Sequence, residues 1–86
     1  MTPYSLRFKD SVAKDLRRLP ADARSRCLAR AEALRENPRP QAAVKLTGRE
    51  YTYRLRVGRY RVIYQIDDKE HTVTVEYVRH RGRAYP

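Results

Sequence analysis

Apolar and polar residues begin to alternate at the fourth position: Tyr4, Leu6 and Phe8 against Ser5 and Arg7. Alternation of this kind predicts a short first strand. The period then lengthens to that of a helix. Val12, Leu16 and Leu19 recur at helical spacing behind Asp10 and Ser11, either of which can cap the helix. Leu19-Pro20 stops it, since a residue before proline is pushed out of the helical region. Pro20 can in turn open a second helix, where its missing N–H costs nothing. Ala23, Cys27, Ala31 and Leu34 form one stripe of that helix, with Arg24, Arg26, Arg30 and Arg35 off it. Asn37-Pro38 ends the helical half, and Pro38 and Pro40 fix a short extended loop.

The period changes to two at about residue 44. Tyr51, Tyr53, Leu55 and Val57 alternate with Thr52, Arg54 and Arg56. Gly58-Arg59 reads as a hairpin turn. Tyr60, Val62, Tyr64 and Ile66 then alternate with Arg61, Ile63 and Gln65, and after a polar turn at Asp67-Asp68-Lys69-Glu70, Val73, Val75 and Tyr77 alternate with Thr72, Thr74 and Glu76. The pattern predicts an α+β fold: an N-terminal strand, a helical hairpin, then an antiparallel β-meander packed on the helices. Leu16, Leu34, Leu55, Val62, Tyr64 and Val75 are the expected core, with Tyr51, Tyr53 and Tyr60 on the same parity. Arg54, Arg56 and Arg61 share the other face, because residues two apart on a strand point the same way.

Length fits one domain over residues 1–86. Composition changes the picture more. The chain has 20 basic residues, 16 of them arginine, against 10 acidic ones, for a net charge of +10. Both halves carry the same balance, so the charge is not that of a tail. Such a chain suits polyanions or an acidic protein partner. Arginine forks onto phosphate oxygens and stacks on flat rings. With six of seven tyrosines in residues 51–85, RNA is the better-fitting polyanion. Cys27 is the single cysteine, which rules out an intrachain disulfide, fits a reducing compartment and matches a packed helical position. No apolar run approaches the ~20 residues of a membrane span, and the first residues lack the apolar stretch of a signal peptide. The expected location is cytoplasmic.

His71, His80 and Cys27 make no recognisable metal-ligand set. Three glycines, Gly48, Gly58 and Gly82, make no phosphate loop, and no Ser or Cys nucleophile motif is present. RNA, however, carries its own nucleophile in the 2′-hydroxyl. In-line attack needs that hydroxyl deprotonated, the added negative charge stabilised and the 5′-oxygen protonated. Arginines can meet the second need, and tyrosine or histidine can move the protons. Arg54, Arg56, Arg61, Arg81, His80 and Tyr85 are such a set if the tail folds beside the sheet. On spacing alone, strand-face arginines more often solubilise or bind partners than catalyse. Tyr85 sits in a polar tail, where core packing explains it least well.

The blocks KLTGREYTYRLRVGRYRVIYQI and VEYVRHRGRAY, in the order strand, helical hairpin, antiparallel strands, resemble the RelE/ParE superfamily of microbial type II toxins. The resemblance spans nearly the whole chain and is most specific in YRLRVGRYRVIY and HRGRAY. It implies a toxin held inactive by a cognate antitoxin, whose acidic segment would wrap it. RelE-type members cleave messenger RNA in the ribosomal A site, without metal or cofactor, through 2′-hydroxyl attack; ParE-type members share the fold and poison DNA gyrase. Carried over residue by residue, the phosphate-stabilising arginine falls at Arg61, the leaving-group arginine at Arg81 and the base-stacking tyrosine at Tyr85. The two basic positions of the preceding strand fall at Arg54 and Arg56. Lys45, Arg49, Arg59, Arg79, His80 and Arg83 surround these as RNA-binding candidates. Where the RelE pattern has lysines, Arg54 and Arg56 cannot readily lose a proton. Proton abstraction then passes to Tyr85 or His80, or the step rests on positioning and charge stabilisation. A ParE-like gyrase inhibitor, or an inactive homologue bound to its antitoxin, are the alternatives.

Overall fold

The computed structural model describes residues 2–80 and 82. Its elements are β1 (Ser5–Phe8), α1 (Asp10–Arg17), α2 (Ala21–Ala33), β2 (Ala43–Lys45), β3 (Thr52–Val57), β4 (Tyr60–Asp67) and β5 (Thr72–His80). The strands form one sheet in the order β1-β5-β4-β3-β2. β3, β4 and β5 make the expected antiparallel meander. Two features go beyond it. β1 pairs in parallel with β5, and a strand absent from the sequence reading, β2, lines the far edge antiparallel to β3. At three residues, β2 is too short for its alternation to show.

One face of the sheet packs on the helical hairpin. Val12 of α1 and Cys27, Ala31 and Leu34 around α2 join Leu55, Val57, Val62, Tyr64, Ile66, Val73, Val75 and Val78 in one buried cluster. The stripe Ala23, Cys27, Ala31, Leu34 is buried as its spacing demands. Burial also raises the pKa of the Cys27 thiol, which keeps it in the unreactive protonated form. Leu16 is only partly buried against the cluster. Helix α1 starts on Lys9 with no side-chain cap. Asp10 instead occupies the first turn, where its charge complements the helix dipole.

Two tyrosines depart from the expected parity. Tyr51 precedes β3 and is 59% exposed. Tyr77 is displaced by a bulge: Ile63 pairs with Tyr77 but Tyr64 pairs with Val75, leaving Glu76 without a partner on β4. The extra residue turns Tyr77 onto the face of Ile63 and Arg61, away from the helices. Among the described residues, no helix is long and apolar enough to cross a membrane.

The end of the sheet opposite the β3–β4 hairpin is closed by polar contacts. Arg39, from the loop after α2, grips the Asp68 carboxylate with two nitrogens at 2.7 and 3.2 Å, and Tyr4 donates to it at 2.7 Å. These contacts, Arg39 first, lower the Asp68 pKa to about 2. A depressed folded-state pKa means that ionised Asp68 favours the fold above the unfolded value of ~3.9, and that this contribution fades as pH falls towards 2. In an Arg39→Ala variant, carboxyl NMR titration should show the Asp68 pKa rising towards, but not reaching, ~3.9, because the Tyr4 hydrogen bond persists. An unmoved midpoint would refute the assignment of cause.

Candidate nucleic-acid interface

The β3–β4 hairpin turns on Gly58, whose φ of 59° lies where side-chain-bearing residues are strained. A two-residue turn fixes the register. Arg56 therefore stands opposite Arg61, and Arg61 opposite Arg79. Three guanidinium side chains form a row across three strands on the face away from the helices. Arg54 lies on the same face one step along β3, opposite Ile63. Like charges directly across a sheet repel, so this row costs the fold stability.

The repulsion is relieved at one end. Arg79 pairs with Asp15 of α1, Nη1 to Oδ2 at 2.7 Å, and its guanidinium lies 5.0 Å from the Tyr77 ring centre. The same Asp15 oxygen accepts the backbone N–H of Val78 at 3.1 Å. Buried Asp15 thus satisfies β5 beyond the end of β1 and neutralises one arginine of the row. Among the described residues, no ion pair compensates Arg54 or Arg56. Arg56 is exposed, and Arg54 and Arg61 are half-buried.

At the same end of the sheet, His80 meets Tyr60 edge-on, ring centres 5.4 Å apart. Both border a cleft of about 620 Å³ between α1 and β4–β5, with Arg18, Leu19 and Arg79. The backbone N–H of Gly82 donates to His80 Nδ1 at 3.3 Å. Nδ1 is then an acceptor, and the proton of the neutral ring sits on Nε2.

The remaining candidates are spread out. Arg59 is exposed in the hairpin turn beside the row. Lys45 pairs with Tyr53, which puts it on the opposite parity from Arg54, at the sheet edge. Arg49 reaches from the β2–β3 loop to Glu76, 3.2 Å away. Arg81, Arg83 and Tyr85 lie outside the described residues. Two carboxylates that shape the site, Asp15 and Glu76, escape the sequence reading. Asp15 had a signal, an acid on the apolar side of α1 beside Val12 and Leu16. Glu76 had none, because an acid between Val75 and Tyr77 looks like ordinary alternation.

Residues 6–85 match the family model described as the ParE toxin of the type II toxin–antitoxin system parDE. The chain belongs to the RelE/ParE superfamily of type II toxins. Two toxins of Mycobacterium tuberculosis are similar to it over 96% of its length: RelG, at 34% identity over 97% of that protein, and RelE, at 31% over 87%. The toxin superposes on the archaeal RelE–RelB complex of Pyrococcus horikoshii with a TM-score of 0.80 and 32% identity, covering 98% of this chain and all of that one. This is a type II toxin of RelE type, and the arginine row lies on a RelE-like sheet.

Proposed function

We propose that this toxin is a ribosome-dependent endoribonuclease that cuts messenger RNA by 2′-hydroxyl attack. The observation that carries the reading is the register placing Arg54, Arg56 and Arg61 side by side beyond the hairpin, with Arg54 and Arg56 held in no ion pair among the described residues. In the reaction, the 2′-oxygen bonds to phosphorus and the bond to the 5′-oxygen breaks. One proton leaves the 2′-hydroxyl and one arrives on the leaving oxygen, giving a cyclic phosphate and a free 5′-hydroxyl. Arg61 stabilises charge on the non-bridging oxygens, and Arg54 and Arg56 hold the backbone. Arg81 and Tyr85 serve the leaving oxygen and the neighbouring base. His80, with its Nε2–H, is suited to donate a hydrogen bond to a phosphate oxygen. A face of this kind holds phosphates but does not splay a strand for in-line attack. Such positioning contributes roughly 7–11 kcal/mol, and here the ribosome supplies it.

Mapping mRNA ends after translation with and without the toxin should reveal cuts that naked mRNA does not show. Equal cutting of naked mRNA at the same sites would remove the ribosome from the reading. Intact mRNA together with inhibited gyrase would replace the whole reading by a ParE-like one, which the ParE family match makes the natural second choice.

A cognate antitoxin is the other partner we infer. The net charge of +10 favours an acidic binding segment, and relatives were solved bound to RelB antitoxins. Purification from the native locus should bring down a small protein at fixed ratio; free toxin alone at physiological salt would count against it.

A further inference from the structure

Glu76 sits on the arginine face yet belongs to none of the chemistry above. It is the unpaired residue of the β5 bulge, one step beyond the last β1 pairing, Phe8 with Val75. Its side chain is 5% exposed. A carboxylate is retained in such a place only when surrounding donors replace water, and three do. Arg49 Nη2 lies 3.2 Å from Oε1 and 3.4 Å from Oε2, Lys9 Nζ lies 3.4 Å from Oε2, and Gln65 Nε2 donates to Oε2. The donors come from three places in the chain: the end of β1, the β2–β3 loop and β4. Arg49 and Lys9 remain about half exposed, at 45% and 54%. Two cations within reach of solvent thus converge on one buried anion, beside a row of arginines suited to phosphate.

We propose that Glu76 is an internal stand-in for an RNA phosphate: it occupies Arg49 and Lys9 and so confines single-stranded RNA to the stretch of the arginine face around Arg54 and Arg56. A polyanion is held wherever uncompensated cations lie, without regard to sequence. Without Glu76, the basic cluster would run on along the sheet to Lys9 and Arg49, and a strand could lie there in registers that keep its scissile phosphate away from Arg61. Glu76 is thus a specificity-determining residue that acts through other side chains. The proposal rests on the RNA-cleaving reading.

The test is the salt dependence of binding of a short fluorescein-labelled oligouridine to the full chain, followed by anisotropy. Each cation engaged on a single strand contributes roughly 0.7 to the slope of log affinity against log salt. Glu76→Gln, which keeps the shape of the side chain and removes its charge, should tighten binding and steepen the slope by roughly 0.7 to 1.4 as one or both cations are released. Adding Arg49→Ala to that variant should take back roughly 0.7. An unchanged or shallower slope in a Glu76→Gln protein that melts like the natural one overturns the proposal. Should that variant not fold, Arg49→Ala alone decides: its slope should fall by much less than 0.7, and a full loss of ~0.7 would mean that Arg49 already holds RNA. Arg56→Ala separates the two readings. If it leaves the slope unaltered, RNA binding by the arginine row fails; if it lowers the slope while Glu76→Gln does not raise it, only the role of Glu76 falls.

Discussion

Replacing Arg61 by alanine should slow mRNA cleavage on saturating ribosomes by about 10²–10³-fold, the effect of removing one preorganised donor to developing charge. Arg61 stands mid-row, with Arg56 on one side and Arg79 on the other. It is half-buried, and a charge partly withdrawn from water acts more strongly on a phosphate than an exposed one. Exposed Arg56 should therefore show the smaller effect on the chemical step and the clearer one on binding. Arg61→Lys should restore charge but not the two-point fork, and so recover only part of the loss. The decisive measurement is single-turnover cleavage, which separates chemistry from binding. An unchanged rate in a folded Arg61→Ala protein would end the catalytic assignment.

Truncating Leu55 to alanine should cost roughly 2–5 kcal/mol. Leu55 is 1% exposed, pairs with Val62 on one side and Ala43 on the other, and packs in the cluster that joins the sheet to α2. In a chain of 86 residues the total stability is of the order of 5–15 kcal/mol, so the variant should sit near the edge of folding. Urea unfolding should show a lowered midpoint with little change in slope. Tyr51→Ala is the contrast: it shares Leu55's parity in sequence, but at 59% exposure its loss should stay within about 0.5 kcal/mol.

The comparison of Leu55 with Tyr51 shows where sequence reasoning held. Inside β3, alternation is enforced by the helices on one side, so Leu55 and Val57 read correctly. Tyr51 lies outside the strand, where no neighbour enforces the period. Tyr77 failed for another reason: a bulge inserts one residue, and every position after it changes face. The pairing that brings Arg56, Arg61 and Arg79 into a row follows from the Gly58-Arg59 turn, which the sequence displays. The carboxylates that divide the row's surroundings do not follow from it. Asp15 on α1 and Glu76 on β5 meet partners far away in the chain, at Arg79 and Arg49, and only tertiary packing creates those meetings.

The parallel pairing of β1 with β5 also dictates the order in which the fold can be completed. Ser5 finds its partner in Thr72, and Lys9 N–H bonds Val75. Until β5 is available, β1 has no neighbour and Asp15 has no Val78 amide to accept from. Contacts of such long range are formed late, after the entropy of closing the intervening chain has been met. During synthesis the N-terminal strand and the hairpin helices must wait for the last strand to clear the ribosome. The arginine row, with Arg79 on that strand, is consequently assembled only once β5 has joined the sheet.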